Sequence, residues 1–479
     1  MRHWIGLIGT IFWSINGLAA PTSRWLTDSL PGRTPPYVVV QAVTLSGNRL
    51  TKDYIVRREL DIRVGDSLAV VQLDERLAAN ARRVFNTQLF ISADVVVDSL
   101  VGDRAWLRVR LKENWYLWAA PYARLNDRNL NEWIDRGRDL RRLNYGAFID
   151  HENLFGRMQK LEVVGETGFT NRGTLRYNIP FLDRSGNNGL YAEAQYMTLA
   201  NLAQNTVGNQ LDFVYRDEVL KRQFDAHVRL RHRQGFYRFH YLEAAFNYTR
   251  ISESLADFNP FYLAGKRRQQ QYATLAYTFR YDHRDNVNFA LKGRAFIADV
   301  RRLGMLPGDS FRSWQFRLTF ADYYSLGKGW FANYIVKAKA FTNPDVPYEL
   351  LRGIGYQEDI LRGYDLYVVN GSVYGSGRVN LKRRLLQRTY TLGFIKWRQF
   401  NTLPLNLYLN AFTDGGYVDN RFSDRLDNPL ANRWLRSYGL GLEVNTWYNS
   451  VVRFNLSRNS LNQTNFFVNL QKDLWTRWN

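Results

Sequence analysis

The chain has 479 residues, a net charge of +21 from 65 Lys plus Arg against 44 Asp plus Glu, 15% aromatic residues and no cysteine. That length suits more than one domain, and the lack of cysteine excludes disulfides, Cys-ligated zinc or iron–sulfur sites and a lipid-modified N-terminal Cys. A mean hydropathy of −0.40, with no apolar run near the ~20 residues of a spanning helix past the N-terminus, argues against a helical membrane protein, and the wealth of aromatic and β-branched residues argues against disorder.

Met1-Arg2-His3 is a basic start, Trp4 to Ile15 is mostly apolar, and Asn16-Gly17-Leu18-Ala19-Ala20 ends in small residues. This order reads as a secretory signal over 1–20, cleaved after Ala19 or Ala20. Residues 21–36, with Pro31, Pro35 and Pro36, read as a linker.

From Tyr37 the pattern tightens. Val38 to Leu45 reads as a strand and Ser46-Gly47-Asn48 as a turn. Thr51 is placed to cap a helix from Lys52 to Leu60. Gly65-Asp66 breaks the chain. A second helix is expected over about Val71 to Thr87, with Leu73, Leu77, Ala81 and Val84 on one face. Strands Ile91 to Asp98 and Trp106 to Leu111 follow, joined by the turn Val101-Gly102-Asp103. The order βααββ over 37–114 makes a small sheet with two helices on one face.

Beyond Trp115 the helical period vanishes and alternation replaces it. Phe224, Ala226, Val228 and Leu230 interleave with Asp225, His227, Arg229 and Arg231. Leu403, Leu405, Leu407 and Leu409 interleave with Pro404, Asn406, Tyr408 and Asn410. In a strand such spacing sends apolar groups to one face and polar groups to the other. The segments recur over 115–479, and aromatics such as Trp115, Tyr116, Trp118, Tyr323 and Tyr324 cluster at their ends, where interfacial girdles sit. With the export signal, this predicts a mainly β protein: an antiparallel transmembrane β-barrel of about sixteen strands in the outer membrane, preceded by one small α+β domain.

The basic excess falls on inward parities, at Arg229, Arg231, Lys337, Lys339, Arg378, Lys382 and Arg384. Such a lumen either favours anions or is offset by Asp and Glu partners; the second reading is the simpler. Nucleic-acid binding is set aside, since export and a barrel remove the protein from nucleic acid. An enzyme is not expected: there is no Gly-x-Ser-x-Gly or HExxH. His227 and His232 point to opposite strand faces, and His151 has no obvious partner.

Three stretches carry a family resemblance. Leu45-Ser46-Gly47-Asn48-Arg49-Leu50-Thr51, followed by Arg57-Arg58-Glu59-Leu60, Gly65-Asp66 and Leu89-Phe90, resembles a POTRA (polypeptide-transport-associated) domain. Leu361-Arg362-Gly363-Tyr364 resembles the arginine-glycine-aromatic motif on the inward-folded loop of the BamA/TamA outer-membrane assembly-factor superfamily. Phe412-Thr413-Asp414-Gly415-Gly416 resembles its Phe-x-Asp-x-Gly strand motif. The chain looks like a short, single-POTRA member of the kind found in Bacteroidetes-type bacteria. The ending Trp475-Thr476-Arg477-Trp478-Asn479 departs from the terminal Phe common in proteobacterial barrels.

Phe412 and Asp414 share the inward parity of Asn410, so a loop folded into the lumen could set Arg362 against Asp414 as a bidentate pair. Gly363 would let the loop bend, and Tyr364 would pack on the wall. The resemblance implies that the pair braces the barrel for activity or assembly; a plain pore-plugging salt bridge makes the same contact. It also implies a function: inserting β-barrel proteins into the outer membrane, or moving polypeptides across it, by strand templating at a periplasmic POTRA domain and at a barrel seam. The partners would be outer-membrane lipids, unfolded client polypeptides and accessory lipoproteins, with no cofactor. A dedicated two-partner-type secretion pore and an anion-leaning passive channel remain alternatives.

Overall fold

The computed structural model describes residues 36–126, 130–183, 185–343, 345–356, 359–397, 401–421, 426–446 and 450–469. The expected signal, the expected linker up to residue 35 and the terminal tryptophans lie outside the described residues. The chain divides into two compact units between Asn114 and Trp115.

In the first unit, β1 (Tyr37–Ser46), α1 (Asp53–Arg57), β2 (Ser67–Ala69), α2 (Val70–Asn86), β3 (Phe90–Val101) and β4 (Arg104–Glu113) form a sheet in the order β2-β1-β4-β3 with two helices. β1 runs parallel to β4, and the other neighbours are antiparallel. The strand β2 adds to the expected βααββ order; three residues after a Gly-Asp break are too few to show alternation. The first helix is shorter than expected. Its last amides bond three residues back, Glu59 to Val56 and Leu60 to Arg57, so the chain tightens out of the α form. Thr51 does not cap it: Lys52 holds the N-cap position, and the Glu113 carboxylate accepts the Leu50 and Thr51 amides instead. On α2, Leu73, Leu77 and Val84 are buried as expected, but fully buried Asn80 joins them in place of Ala81. Its amide bonds Asp61, Arg76 and Arg83, tying α2 to the loop before β2.

The second unit is the barrel. Its wall begins with β5 (Leu117–Leu125), β6 (Leu143–Leu154), β7 (Gln159–Gly168), β8 (Asn171–Ile179) and β9 (Asn188–Leu199). A hairpin of β10 (Asn201–Val207) and β11 (Gln210–Tyr215) stands apart from the wall. The wall resumes with β12 (Lys221–Gln234), β13 (Arg238–Ile251), β14 (Gln269–Asp282), β15 (Gly293–Leu303), β16 (Ser313–Gly327) and β17 (Trp330–Phe341). A long connection carries the short ladder of β18 (Arg352–Ile354) and β19 (Val369–Asn370). The wall ends with β20 (Val373–Thr391), β21 (Thr402–Asp419), β22 (Leu435–Thr446), β23 (Ser450–Asn459) and β24 (Thr464–Asn469). The wall strands make one 16-stranded sheet, each antiparallel to the next in sequence, with β5 and β24 at its edges among the described residues. No helix among the described residues is long and apolar enough to cross a membrane; this wall crosses with strands.

The alternation holds. Val228 is 48% exposed and its neighbour Arg229 only 6%. Leu275, Tyr277, Phe316, Leu318, Leu381, Leu440, Leu442 and Leu456 likewise point outward, an apolar band that only lipid can cover. Short helices do occur beyond Trp115, contrary to expectation: α3 (Leu130–Asp135) and α4 (Glu253–Phe258). Ser252 caps α4, accepting the Leu255 amide at 3.2 Å. Six residues are too few for a helical period to show.

Since the strands alternate in direction, the connections fall at two ends. The near end is where the chain enters β5; it also carries the β14–β15, β16–β17 and β20–β21 connections. The β6–β7, β8–β9, β12–β13 and β22–β23 connections share the near end, and the far end carries the rest, including residues 342–372.

Candidate functional site

The described residues of 342–372, between β17 and β20, lie against the inner wall. Arg362 donates from Nε to Asp414 Oδ2 at 2.8 Å and from Nη2 to Asp414 Oδ1, a fork on one carboxylate. Its backbone amide also donates to Oδ2 at 3.2 Å, and Nη1 donates to Asn380 Oδ1 at 2.8 Å. The guanidinium carbon lies 3.8 Å from the centre of the Phe412 ring. Phe412 thus offers its π face to the cation while Asp414, two residues on along the same inward face of β21, takes the charge. Arg378 approaches Asp414 at 3.7 Å from β20.

Gly363 follows with φ of +87°. A Cβ there would sit 3.1 Å from Ser437 Cβ and 3.4 Å from Ser457 Oγ, so glycine answers both the left-handed backbone and the close approach to the wall. The Gly363 carbonyl accepts from Asn459 on β23 at 2.8 Å and from Asn465 on β24 at 3.3 Å. The buried Tyr364 hydroxyl reaches the Arg436 carbonyl on β22 and Ser460 just after β23. Leu361 joins Ile354, Tyr364, Val369, Tyr374, Val418 and Leu435 in an apolar cluster. A Cβ on Gly416 would lie 2.5 Å from Ile354 Cδ1, so any side chain there would run into the loop. The loop therefore touches β20, β21, β22, β23 and the edge strand β24. All the loop and strand residues singled out in the sequence meet in one place.

The residues after Gly363 carry a buried acid. Asp365 accepts the Gly363 amide at 2.8 Å. Burial, reinforced by the nearby Asp414 charge, pushes its carboxyl up to about 7.

Carboxylates meet several of the lumen cations, often one carboxylate between two of them. Glu243 takes Arg229 and Arg301, and Asp299 takes Arg301 and Arg317. Lys382 pairs with Glu443 at 2.8 Å, which also receives Arg453. Lys337 pairs with Asp359 of the loop at 3.1 Å. His227 stacks on Tyr191 beside Glu193. His151 does have a partner: its Nδ1 accepts the Asn153 amide.

Both ends of the lumen hold inserted chain. At the far end, Asn209, at the β10–β11 turn, bonds Val368, Asn428 and Leu430, and Thr206 bonds Tyr348 and Asn370. At the near end, the β14–β15 connection places buried Phe289 5.0 Å from Tyr408. The Lys382 ammonium lies 4.7 Å from the Phe289 ring centre. Phe331 and Val451 complete the cluster. No sequence motif marks Asn209 or Phe289; each lies in a connection without period.

The first unit places its singled-out residues at turns. Gly47 has φ of +98°, and a Cβ there would collide with the Leu111 carbonyl oxygen. Asn48 donates to Thr51 O and Asp53 Oδ1. Gly65 donates to Val40 O, and the Asp66 carboxylate accepts the Arg63 amide. These are structural contacts of β1 and its flanking turns.

Comparison with known proteins places these features. The Omp85 superfamily domain matches residues 153–462, well over half of the chain. No curated protein matches it. Among solved structures, BamA from Haemophilus ducreyi lacking POTRA domains 1-3 is similar at 15% identity, over 90% of this chain and 83% of that one, with a TM-score of 0.50. CdiB from Acinetobacter baumannii is similar at 12% identity over 90% of this chain and 73% of that one, with a TM-score of 0.45. CdiB from Escherichia coli is similar at 11% identity over 93% and 92%, with a TM-score of 0.46. At such identity the BamA likeness speaks to fold alone.

Proposed function

This chain belongs to the Omp85 superfamily, and from that premise we propose that it inserts β-barrel proteins into the outer membrane by strand templating. The observation that carries the reading is the Arg362–Asp414 fork, with its loop reaching through to Asn465 on β24. A passive channel has no need of a loop that grips successive strands up to the edge, and inserted chain at both ends of the lumen suits it poorly.

In this reading the first unit, 37–114, is a POTRA domain in the periplasm, and the near end of the barrel, 115–479, faces the same side. An unfolded client adds to an exposed sheet edge by main-chain hydrogen bonds, which tolerate varied sequence. The seam lies between β5 and β24. Unsatisfied backbone groups in lipid cost several kcal/mol each, by the general figure of roughly that size, so an incoming strand is driven to pair there. The loop holds β20 to β24 in one arrangement, so that the edge offered to a client keeps its register. The partners are outer-membrane lipids, client polypeptides and accessory lipoproteins. The chemistry is hydrogen-bond exchange; no bond is made or broken covalently, and the protein acts as no enzyme.

Depletion in the native host, followed by quantitative outer-membrane proteomics, tests the proposal. Broad loss of other barrel proteins is expected. Loss of a single secreted or surface protein would replace it with a dedicated secretion pore. An unchanged proteome with altered small-anion permeability would leave a channel.

A further inference from the structure

The β20–β21 hairpin runs past its neighbours at the near end. On β20, pairing with β17 stops at Arg383 with Trp330, and the last backbone bond to that side runs from Arg384 N to Gly329 O. β20 then continues to Thr391, paired among the described residues only with β21 on its other side. Residues 385–391 thus present an open strand edge. At roughly 3.3 Å per residue this edge is about 23 Å long, the length of an ordinary strand.

Its chemistry is one-sided. No Asp or Glu occurs between Asp365 and Asp414, while Arg383, Arg384, Arg388 and Lys396 lie on or beside the hairpin. Gln387, Arg388 and Thr389 are exposed on the strand. At the tip, Phe394 and Trp397 are each 74% exposed. A bulge between Arg384 and Leu386 sets the register beyond the wall.

We propose that the open edge of β20 from Leu385 to Thr391 is a docking site for an acidic, extended polypeptide segment, which adds to it as a strand. Main-chain hydrogen bonds would supply affinity, and the unopposed cations would select acidic side chains. A lipid surface would account for the aromatic tip. It would not account for the exposed Gln387, Arg388 and Thr389 that follow Leu385 on the edge, nor for backbone groups spaced to pair with another chain. The proposal deepens the assembly reading by giving arriving chains a contact point at the near end, and it rests on that reading for its biological meaning only.

The test uses the full chain in detergent micelles and a fluorescent nine-residue peptide alternating glutamate with threonine. Saturable binding is expected, with slowed amide exchange confined to 385–391 and the facing β21. Arg388→Glu should weaken binding by roughly tenfold, and the lysine-for-glutamate peptide should recover it on that variant. Thr389→Pro, which alters the edge and not the charge, should also weaken binding. Absence of binding, or binding without protection at 385–391, overturns the proposal. So does loss of binding to anionic phospholipid vesicles in Phe394→Ser/Trp397→Ser when the peptide protects nothing; that result assigns the hairpin to the membrane. These readouts need no insertion activity, so their failure leaves the assembly reading standing, and failure of the depletion experiment leaves peptide binding standing.

Discussion

Arg362 and Asp414, 52 residues apart in sequence, share a bidentate contact on the inner wall, and Asp414 also accepts the Arg362 backbone amide. Asp414 is fully buried and the Arg362 side chain is only 13% exposed, so water does little to compensate either charge. Removing one partner breaks a nearly dry ion pair; Arg378 at 3.7 Å still faces Asp414 when Arg362 is lost, so the cost falls at the lower end of about 3–5 kcal/mol. Arg362→Ala and Asp414→Asn should each lower the temperature at which the folded barrel loses its compact mobility in semi-native electrophoresis. The double variant should lose less than the sum of the two. Arg362→Lys should recover little, because an ammonium cannot fork across both oxygens and lie flat on Phe412.

Gly363→Ala should unseat the loop without touching the charge pair. A left-handed backbone costs a residue with a Cβ about 1–2 kcal/mol, and here the methyl also presses on Ser437 and Ser457. Limited proteolysis within 342–372 should become faster, while the barrel itself stays resistant.

The buried Asp365 makes seating of the loop depend on pH. An ordinary Asp titrates near 4 when unfolded, whereas burial raises this one to about 7 in place. The folded form therefore holds a proton that the unfolded form has lost. The stability this group contributes is present at low pH, falls as pH rises from about 4 to 7, and is level above that. Amide exchange within the loop should quicken over that window, and Asp365→Asn should flatten the response.

Phe289 should limit ion flow at the near end. Truncation removes the ring that packs between Tyr408 and the Lys382 ammonium. Phe289→Ala should raise single-channel conductance in planar bilayers above a small wild-type value. Equal conductance would show that the far-end loops alone set the resistance.

How much of this was legible in the sequence follows from length and period. The sixteen-stranded wall could be read because Phe224 to Arg231 and Leu403 to Asn410 alternate over whole strands, and burial follows that alternation. The expected BamA/TamA-type resemblance is met by the superfamily match, which spans both barrel motifs. The meeting of Arg362 with Asp414 could be anticipated from the inward parity of Asp414 and the motif on the loop. What stayed hidden lacks period or length. β2 has three residues, α4 has six, and the carboxylate that takes the Leu50 and Thr51 amides comes from Glu113, far along the chain. Burial of Asn80 was not legible, because burial of an amide is set by its partners, here Asp61 and Arg83, and not by spacing. Phe289 and Asn209 sit in connections, where only the folded chain reveals what they reach.

If the braced edge of this barrel templates other barrel strands, the purified chain should do so alone in a lipid bilayer. Reconstitution into liposomes, followed by the folding rate of an unfolded barrel client added from urea, measures this. The client should fold faster than with empty liposomes, and Arg362→Ala, in protein that remains folded, should strongly reduce the gain. A client that folds no faster with the protein than without it would show that the edge templates nothing.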